Sequence, residues 1–421
     1  MKRALVLSGG GSRGAYQIGA WQALSELGIR YQAVYGTSIG ALNACLIAQG
    51  DVELAAKIWA EMDIRQILAT DDENFSIGNM VHNKRDVLPF LVGNAKNLRM
   101  DISPLRKLIA ENLDESRVRA SGLELGLMTV QVPQMQPVPT RLNDIPSGQL
   151  GEWVIASASC FPVFPLAHIG GSRYIDGGYA DNMPIDMALE DGADEIIGLD
   201  IHPAPVHPEY THMPFLRLIH PLRSLGGFLD FNKKLLARGR LLGYYDTMKS
   251  YGHLDGIRYT FTRRNELDTA LPARDYMRRI AAFDAEAIVR VALHSSKETD
   301  APLITAVQRE DPLRMYSWKD VWLRGLELCA ECMSFRDDAI YDPDILTSRL
   351  AEFAASGEEI GGLTERGIQA ARAKGGRELI SYLVKGLRKT ENYPADLVPM
   401  LAETPAETAA ALYLHCAADR S

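Results

Sequence analysis

The chain has 421 residues, 47% of them hydrophobic and 24% charged, the make-up of a globular protein of roughly two to three domains and not of a collagen-like, disordered or disulfide-framework chain. Its net charge of −9 arises wholly in residues 1–210, with 16 Lys and Arg against 25 Asp and Glu, because the remainder balances at 29 each. Such a surface excludes nucleic acid as the main partner, since phosphate binding needs a basic footprint.

Ala4 to Leu7 is a short apolar run that stops at glycines, a strand. Residues 16–27 carry Ile18, Trp21, Leu24 and Leu27 at helical spacing, and Gly28 ends that helix. A strand over 31–35 stops at Gly36-Thr37-Ser38-Ile39-Gly40, and 41–48 continues as an apolar helix. This alternation implies a parallel sheet covered on both faces. Residues 51–67 and 103–113 read as helices, the second with Ser103 as cap and Pro104 at its first position. Between them, 71–99 is polar and irregular, a surface excursion. A strand over 123–132 is broken by the proline-rich 133–139, and a helix follows over 151–159. Residues 167–169 and 173–175 flank Gly170-Gly171-Ser172 as a hairpin. A helix over 183–191 and an apolar strand over 195–201 complete an α/β half. Beyond the proline-rich 202–214 the pattern turns helical, over 216–251, 273–296, 318–335, 344–355, 364–387 and 395–414, with one strand over 256–262. The expected division is 1–265 and 266–421, with no internal repeat.

Gly9, Gly11 and Gly14 fit a GxGxxG turn between strand and helix. A dinucleotide site would also demand an acidic residue ending the second strand, and 31–36 contains none. A glycine turn kept for tight packing is the plainer alternative. Gly36-Thr37-Ser38-Ile39-Gly40 is a GxSxG between strand and helix, the setting of a nucleophile elbow in which Gly36 and Gly40 permit a strained turn and Ser38 projects over the sheet edge. A serine nucleophile needs oxyanion donors and a base. The amides of Gly9-Gly10-Gly11-Ser12-Arg13-Gly14 lie at a helix N-terminus and can turn toward one point, with Arg13 holding that loop or adding positive potential. For the base there is Asp176, ending a strand in Tyr174-Ile175-Asp176-Gly177-Gly178, where Gly177 and Gly178 would leave its carboxylate accessible; an Asp-Gly pair can equally be a turn start.

These three motifs, in this order, resemble the patatin-like phospholipase family. Supporting tracts are 156–159 leading to Phe161-Pro162-Val163-Phe164-Pro165, then Asp181-Asn182-Met183-Pro184 and the strand 196–201. The resemblance covers roughly residues 3–201; nothing after 265 resembles a family named here. It implies a three-layer α/β/α fold with a mostly parallel sheet, followed by a helical C-terminal region. It further implies a serine acyl hydrolase acting on phospholipid or lysophospholipid esters. Ser38 would be nucleophile, Asp176 the base of a Ser-Asp dyad, and the 9–14 amides the oxyanion hole. No metal or cofactor is implied. The proline-rich 127–141 departs from the family pattern at the acyl pocket. Two alternatives stand beside this: a catalytically weak lipid-binding or regulatory protein keeping the fold, and an α/β-hydrolase triad completed by His202 or His207, although only one strand precedes Ser38 where that fold has several.

His202, His207, His212 and His220 are separated by prolines that spoil metal-ligand spacing, so a solvated loop is expected. Cys329 and Cys332 form CxxC in a helix without a redox or zinc setting, so core cysteines are expected. Residues 216–245 hold six Lys and Arg against Asp230 among apolar side chains, which suits a membrane-facing amphipathic segment or a helix packed on the catalytic domain. The start lacks the apolar h-region of a secretory signal. No apolar run approaches a membrane span, and the five cysteines are sparse and odd in number. The expected setting is therefore cytoplasmic, with peripheral membrane contact through 216–245 and export by a signal-independent route both open.

Overall fold

A computed structural model describes residues 1–69, 100–294, 302–308, 317–356 and 359–418. The polar excursion expected over 71–99 lies outside the described residues. Contacts divide the chain into Met1–Tyr251 and Gly252–Ser421.

The first unit is built on an eight-stranded sheet. Its elements are β1 (Arg3–Leu7), α1 (Ala15–Glu26), β2 (Ala33–Thr37), α2 (Ile39–Gln49), α3 (Val52–Glu61), α4 (Ser103–Asn112), α5 (Glu115–Ala120), β3 (Glu124–Val132), β4 (Gln136–Arg141), α6 (Leu150–Ser157), β5 (Ala167–Ile169), β6 (Ser172–Asp176), α7 (Ile185–Glu190), β7 (Glu195–Leu199), β8 (Leu216–Ile219) and α8 (Lys233–Ser250). The strand order is β5-β6-β3-β2-β1-β7-β8, with β4 paired to β3. Strands β3, β2, β1, β7 and β8 run parallel, while β4 and β6 lie antiparallel to β3.

Alternation along the strands explains why both faces are covered. Leu5, Leu7, Val34, Leu125, Leu127, Ile197 and Leu199 enter one core with α1, α2 and α3. Their neighbours Ala4, Val6, Ala33, Tyr35 and Ile196 enter a smaller core with Ile185 and Met187 of α7. A strand buried on both sides cannot alternate apolar with polar, so the runs read as continuously apolar. Since β2 and β3 lie on one side of β1 while β7 lies on the other, the loop after β1 opens at the point where the strand order reverses, the usual place for a ligand in such sheets.

Several sequence expectations need correction. The prolines of 133–139 do not end the sheet, because β4 pairs with β3 with Pro137 opposite Val130 and Pro139 opposite Met128. Two positions apart, they turn their donor-less nitrogens the same way on an edge strand, where that is tolerated. Helix α3 stops at Glu61 and a short 3-10 turn, Ile64–Gln66, follows. Ser103 is the first residue of α4 and not its cap, its N–H bonding the Asp101 carboxylate. The helix expected over 216–251 is a strand, a loop and a helix. Leu216 and Ile219 are buried in β8, and only α8 is helical.

The second unit starts before the expected boundary at 265. Strand β9 (Thr260–Phe261) pairs in parallel with β10 (Ile340–Tyr341). Helices α9 (Glu266–His294), α10 (Pro302–Gln308), α11 (Trp318–Cys332), α12 (Pro343–Ala355), α13 (Glu365–Lys374), α14 (Gly376–Thr390), α15 (Val398–Leu401) and α16 (Pro405–Ala418) enclose Tyr276, Leu326, Leu383 and Tyr413. Helix α9 begins before Ala273, with Pro272 inside it. The expected helix over 364–387 breaks at Gly375, whose φ is 117°, and that over 395–414 breaks before Pro405, which has no N–H to continue it. Helix α10, unforeseen from the sequence, is capped by Asp284, which accepts from the N–H groups of Leu303 and Ile304. Cys329 is fully buried and donates to Gly325 O; burial pushes both CxxC thiols up, that of Cys332 to about 12.

Within the first unit, α8 meets α1 backbone to backbone. A Cβ added at Gly19 would lie 1.8 Å from Arg240 O, and one at Gly243 1.9 Å from Tyr16 O. Leu236 and Leu242 are buried in the same core, leaving Lys233 and Lys234 exposed. Gly243→Ala should therefore destabilise the unit by about 1–3 kcal/mol through overpacking, read as a lower midpoint in denaturant; an unchanged midpoint would show that the helices do not touch there.

Candidate active site

Ser38 sits where β2 passes into α2, with φ 57° and ψ −125°. A side chain in this region is strained by about 1–3 kcal/mol and persists only where its surroundings enforce it. The flanking glycines are part of that enforcement. A Cβ on Gly36 would lie 2.3 Å from Gly40 O, and one on Gly40 2.5 Å from Leu7 O. The Ser38 N–H donates to Ser157 Oγ at 2.9 Å, and Ser157 in turn donates to Met128 O at 2.7 Å. Ser38 thereby stands at the N-terminus of α2, where the helix dipole favours negative charge.

Sheet register brings Asp176 to it. On β3, Met128 lies opposite Thr37 of β2 and the next residue, Thr129, lies opposite Asp176 of β6. Ser38 Oγ donates to Asp176 Oδ2 at 2.6 Å, and the Gly178 N–H donates to Asp176 Oδ1 at 2.7 Å. Asp176 is only 6% exposed and lines the cavity that opens over Ser38. Gly177 serves close packing, since a Cβ there would lie 2.3 Å from Met128 O. Burial pushes the Asp176 carboxyl up to about 6, against the lowering effect of the bonds from Ser38 and Gly178. A carboxylate so raised is a stronger base than an exposed one.

The glycine loop lies beside this pair, but its amides are not equivalent. The Gly9 N–H donates to Asn182 O and the Ser12 N–H to Phe228 O. Gly10 and Gly11, at φ 150° and 62°, have amides without a hydrogen-bond partner among the described residues, so Gly9 and Ser12 drop out of the donors expected from 9–14. Ser12 Oγ donates to Gly227 O and Arg13 Nε to Gly226 O. Three successive carbonyls of the segment before α8 are thus fastened to the loop, and Arg13 holds that segment. A cavity of about 480 Å³ opens over Ser38 and Asp176, with apolar walls that include Leu42, Ile109, Val154, Phe164, Phe228 and Phe231.

Sequence reasoning missed the supports of this arrangement. Asn43 Nδ2 donates to Gly14 O and Gln17 Oε1, Gln17 Nε2 donates to Ser8 O, and Trp59 Nε1 donates to Asn43 Oδ1, all buried. Single polar residues inside otherwise apolar helices were the available signal. The histidines of 202–220 do not form a plain solvated loop. His202 pairs with Asp200 and lines the cavity, while His207 lies between Asp181 and Glu209. Among the described residues no histidine bonds Ser38 or Asp176, and no group of side chains suits a metal. Nor is any described helix long and apolar enough to cross a membrane.

Residues 5–189 match the family model described as patatin-like phospholipase. The patatin-like phospholipase domain-containing protein 7 of Rattus norvegicus is 28% identical over 204 residues, covering 47% of this chain and 13% of that protein. Lysophospholipase nte1 of Aspergillus terreus is 28% identical over 203 residues, covering 47% of this chain and 12% of its own. The chain therefore spans only a small share of the curated relatives it matches. Among solved structures, VipD from Legionella pneumophila aligns with a TM-score of 0.41 at 14% identity, over 98% of this chain and 91% of that one. Over residues 5–189 the chain is thus similar in sequence to the patatin-like phospholipase family.

Proposed function

We propose that the chain is a serine acyl hydrolase that cleaves acyl esters of phospholipids or lysophospholipids through an acyl-serine intermediate. The observation that carries this reading is the 2.6 Å bond from Ser38 Oγ to Asp176 Oδ2 at the foot of an apolar cavity. Asp176 takes the Ser38 proton as Oγ attacks the ester carbon, and the oxyanion forms against the amides of Gly10 and Gly11. The C–O bond to the glycerol oxygen then breaks, and the proton held by Asp176 passes to that oxygen. In the second half Asp176 takes a proton from water, hydroxide adds to the acyl carbon, and fatty acid leaves as Ser38 Oγ regains its proton. The family match over 5–189 and the names of the relatives support the substrate class.

Ser38→Ala should abolish both fatty-acid release and labelling by a fluorophosphonate, with labelling at the wild-type rate deciding against Ser38. Asp176→Asn should lower turnover by about two to four decades, and wild-type kcat/KM should rise through about pH 6 as Asp176 ionises. The same shift affects stability. A carboxyl raised from 3.8 to about 6 on folding binds its proton more tightly in the native state, so its contribution falls as pH rises from about 4 to about 6. Asp176→Asn should then melt no lower than wild type at pH 7, and a large drop would assign Asp176 a structural role instead. Phe231→Ala enlarges the apolar wall, so on an ester chain-length series its kcat/KM optimum should move to longer acyl chains; the same factor at every length would remove Phe231 from the acyl site.

A further inference from the structure

His202, paired with Asp200, lines this cavity and takes no part in the proposed reaction. Asp200 follows β7 and is fully buried. Burial works against its charge, yet bonds from His202, the Val206 N–H and Ser8 outweigh that and hold its carboxyl below the usual range. As a carboxylate it can only accept, so the 2.7 Å contact from Oδ1 to His202 Nδ1 makes Nδ1 the donor. The ring is thereby oriented, and Nε2 has no hydrogen-bond partner among the described residues. It does not face bulk solvent alone: His202 lines the cavity together with Ser38 and Asp176. A Cβ on Gly10 would lie 3.6 Å from His202 Nε2, and one on the preceding Gly9 would lie 2.9 Å from Ser38 Cβ. The imidazole thus flanks the glycine loop one residue along from the serine. Arg13, on the same loop, also lines the cavity, its Nε donating to Gly226 O. With Nδ1 given to the Asp200 carboxylate, the doubly protonated ring would present its second N–H, on Nε2, to the cavity as a charge-assisted donor to an anion.

We propose, resting on the acyl-hydrolase reading above, that the Asp200–His202 pair is a subsite for the phosphodiester of the substrate, so that the favoured ester is a phosphate-bearing lipid and not a neutral glyceride. His202 supplies the contact. Asp200 is the positioning residue that fixes the ring.

Ether lipids test this without turnover, because an ether cannot be hydrolysed. The probes are 1-O-dodecylglycero-3-phosphocholine and its neutral counterpart 1-O-dodecylglycerol, titrated by calorimetry below their micellar concentrations into the full chain and into its His202→Ala and His202→Gln variants. Wild type should prefer the phosphate-bearing ether, and both variants should lose about tenfold or more of that preference. A preference unchanged in the two variants, or none in wild type, overturns the proposal. Complete loss of ester turnover with the ether preference retained would do the same, by making His202 part of the chemistry and not of phosphate recognition. Failure of the acyl-hydrolase reading shows separately, as absent fatty-acid release and absent Ser38 labelling by wild type, and leaves the ether comparison decisive.

Discussion

The first unit is organised around one unfavourable backbone geometry. Ser38 holds a conformation that costs its residue about 1–3 kcal/mol, and everything around it serves to keep it there. Helix α2 must start immediately against the ends of β1 and β2, which is feasible only because Gly36 and Gly40 allow backbone to approach backbone within the space a Cβ would fill. All of α2 is buried, so it cannot swing outward to relieve the turn without exposing Leu42, Leu46 and Ile47. The strained turn is thus balanced by burial that would be lost if it relaxed.

Polar side chains make this balance specific. The Asn43, Gln17 and Trp59 chain runs through the core between α1, α2 and α3 and ends on the carbonyls of Ser8 and Gly14, the two flanks of the glycine loop. Leaving one buried member without its partner costs about 1–3 kcal/mol, so the loop's ends have one favoured placement. Ser157 does the same for the elbow, satisfying the Ser38 N–H and, through Met128 O, tying it to β3, the strand whose Thr129 lies opposite Asp176 of β6. The serine and the carboxylate are distant in sequence and share a single strand as their ruler.

This is also where the sequence stops being informative. Glycine spacing around Ser38 and Gly9–Gly14 was legible because close approach and positive φ select one residue type, and the apolar runs marked the parallel strands. Asp176 was legible as a strand end. Its burial was not, because that depends on the pairing of β6 with β3 and on side chains from distant segments that line the same cavity. Similarly, Leu216 to Ile219 has the same apolar content in a helix or an edge strand, and its pairing with β7 decides the matter. The fastening of Gly226, Gly227 and Phe228 to the glycine loop uses backbone carbonyls, which every residue type supplies and no motif records.

In the proposed function, base strength and acyl binding would be one property of this arrangement. The Asp176 carboxyl is raised chiefly because water is kept from it, by walls of the same apolar character as those that would receive the acyl chain. In the proposed reaction an entering acyl chain would exclude water further and so disfavour the carboxylate's charge more. Two donors oppose that rise, the Ser38 hydroxyl and the Gly178 N–H. In the proposed reaction the first is lost when Ser38 gives up its proton and the second persists. The Gly178 amide therefore limits how basic Asp176 becomes at the moment of attack, and a buried carboxylate with only one permanent donor is left able both to take the serine proton and to release it to the departing oxygen.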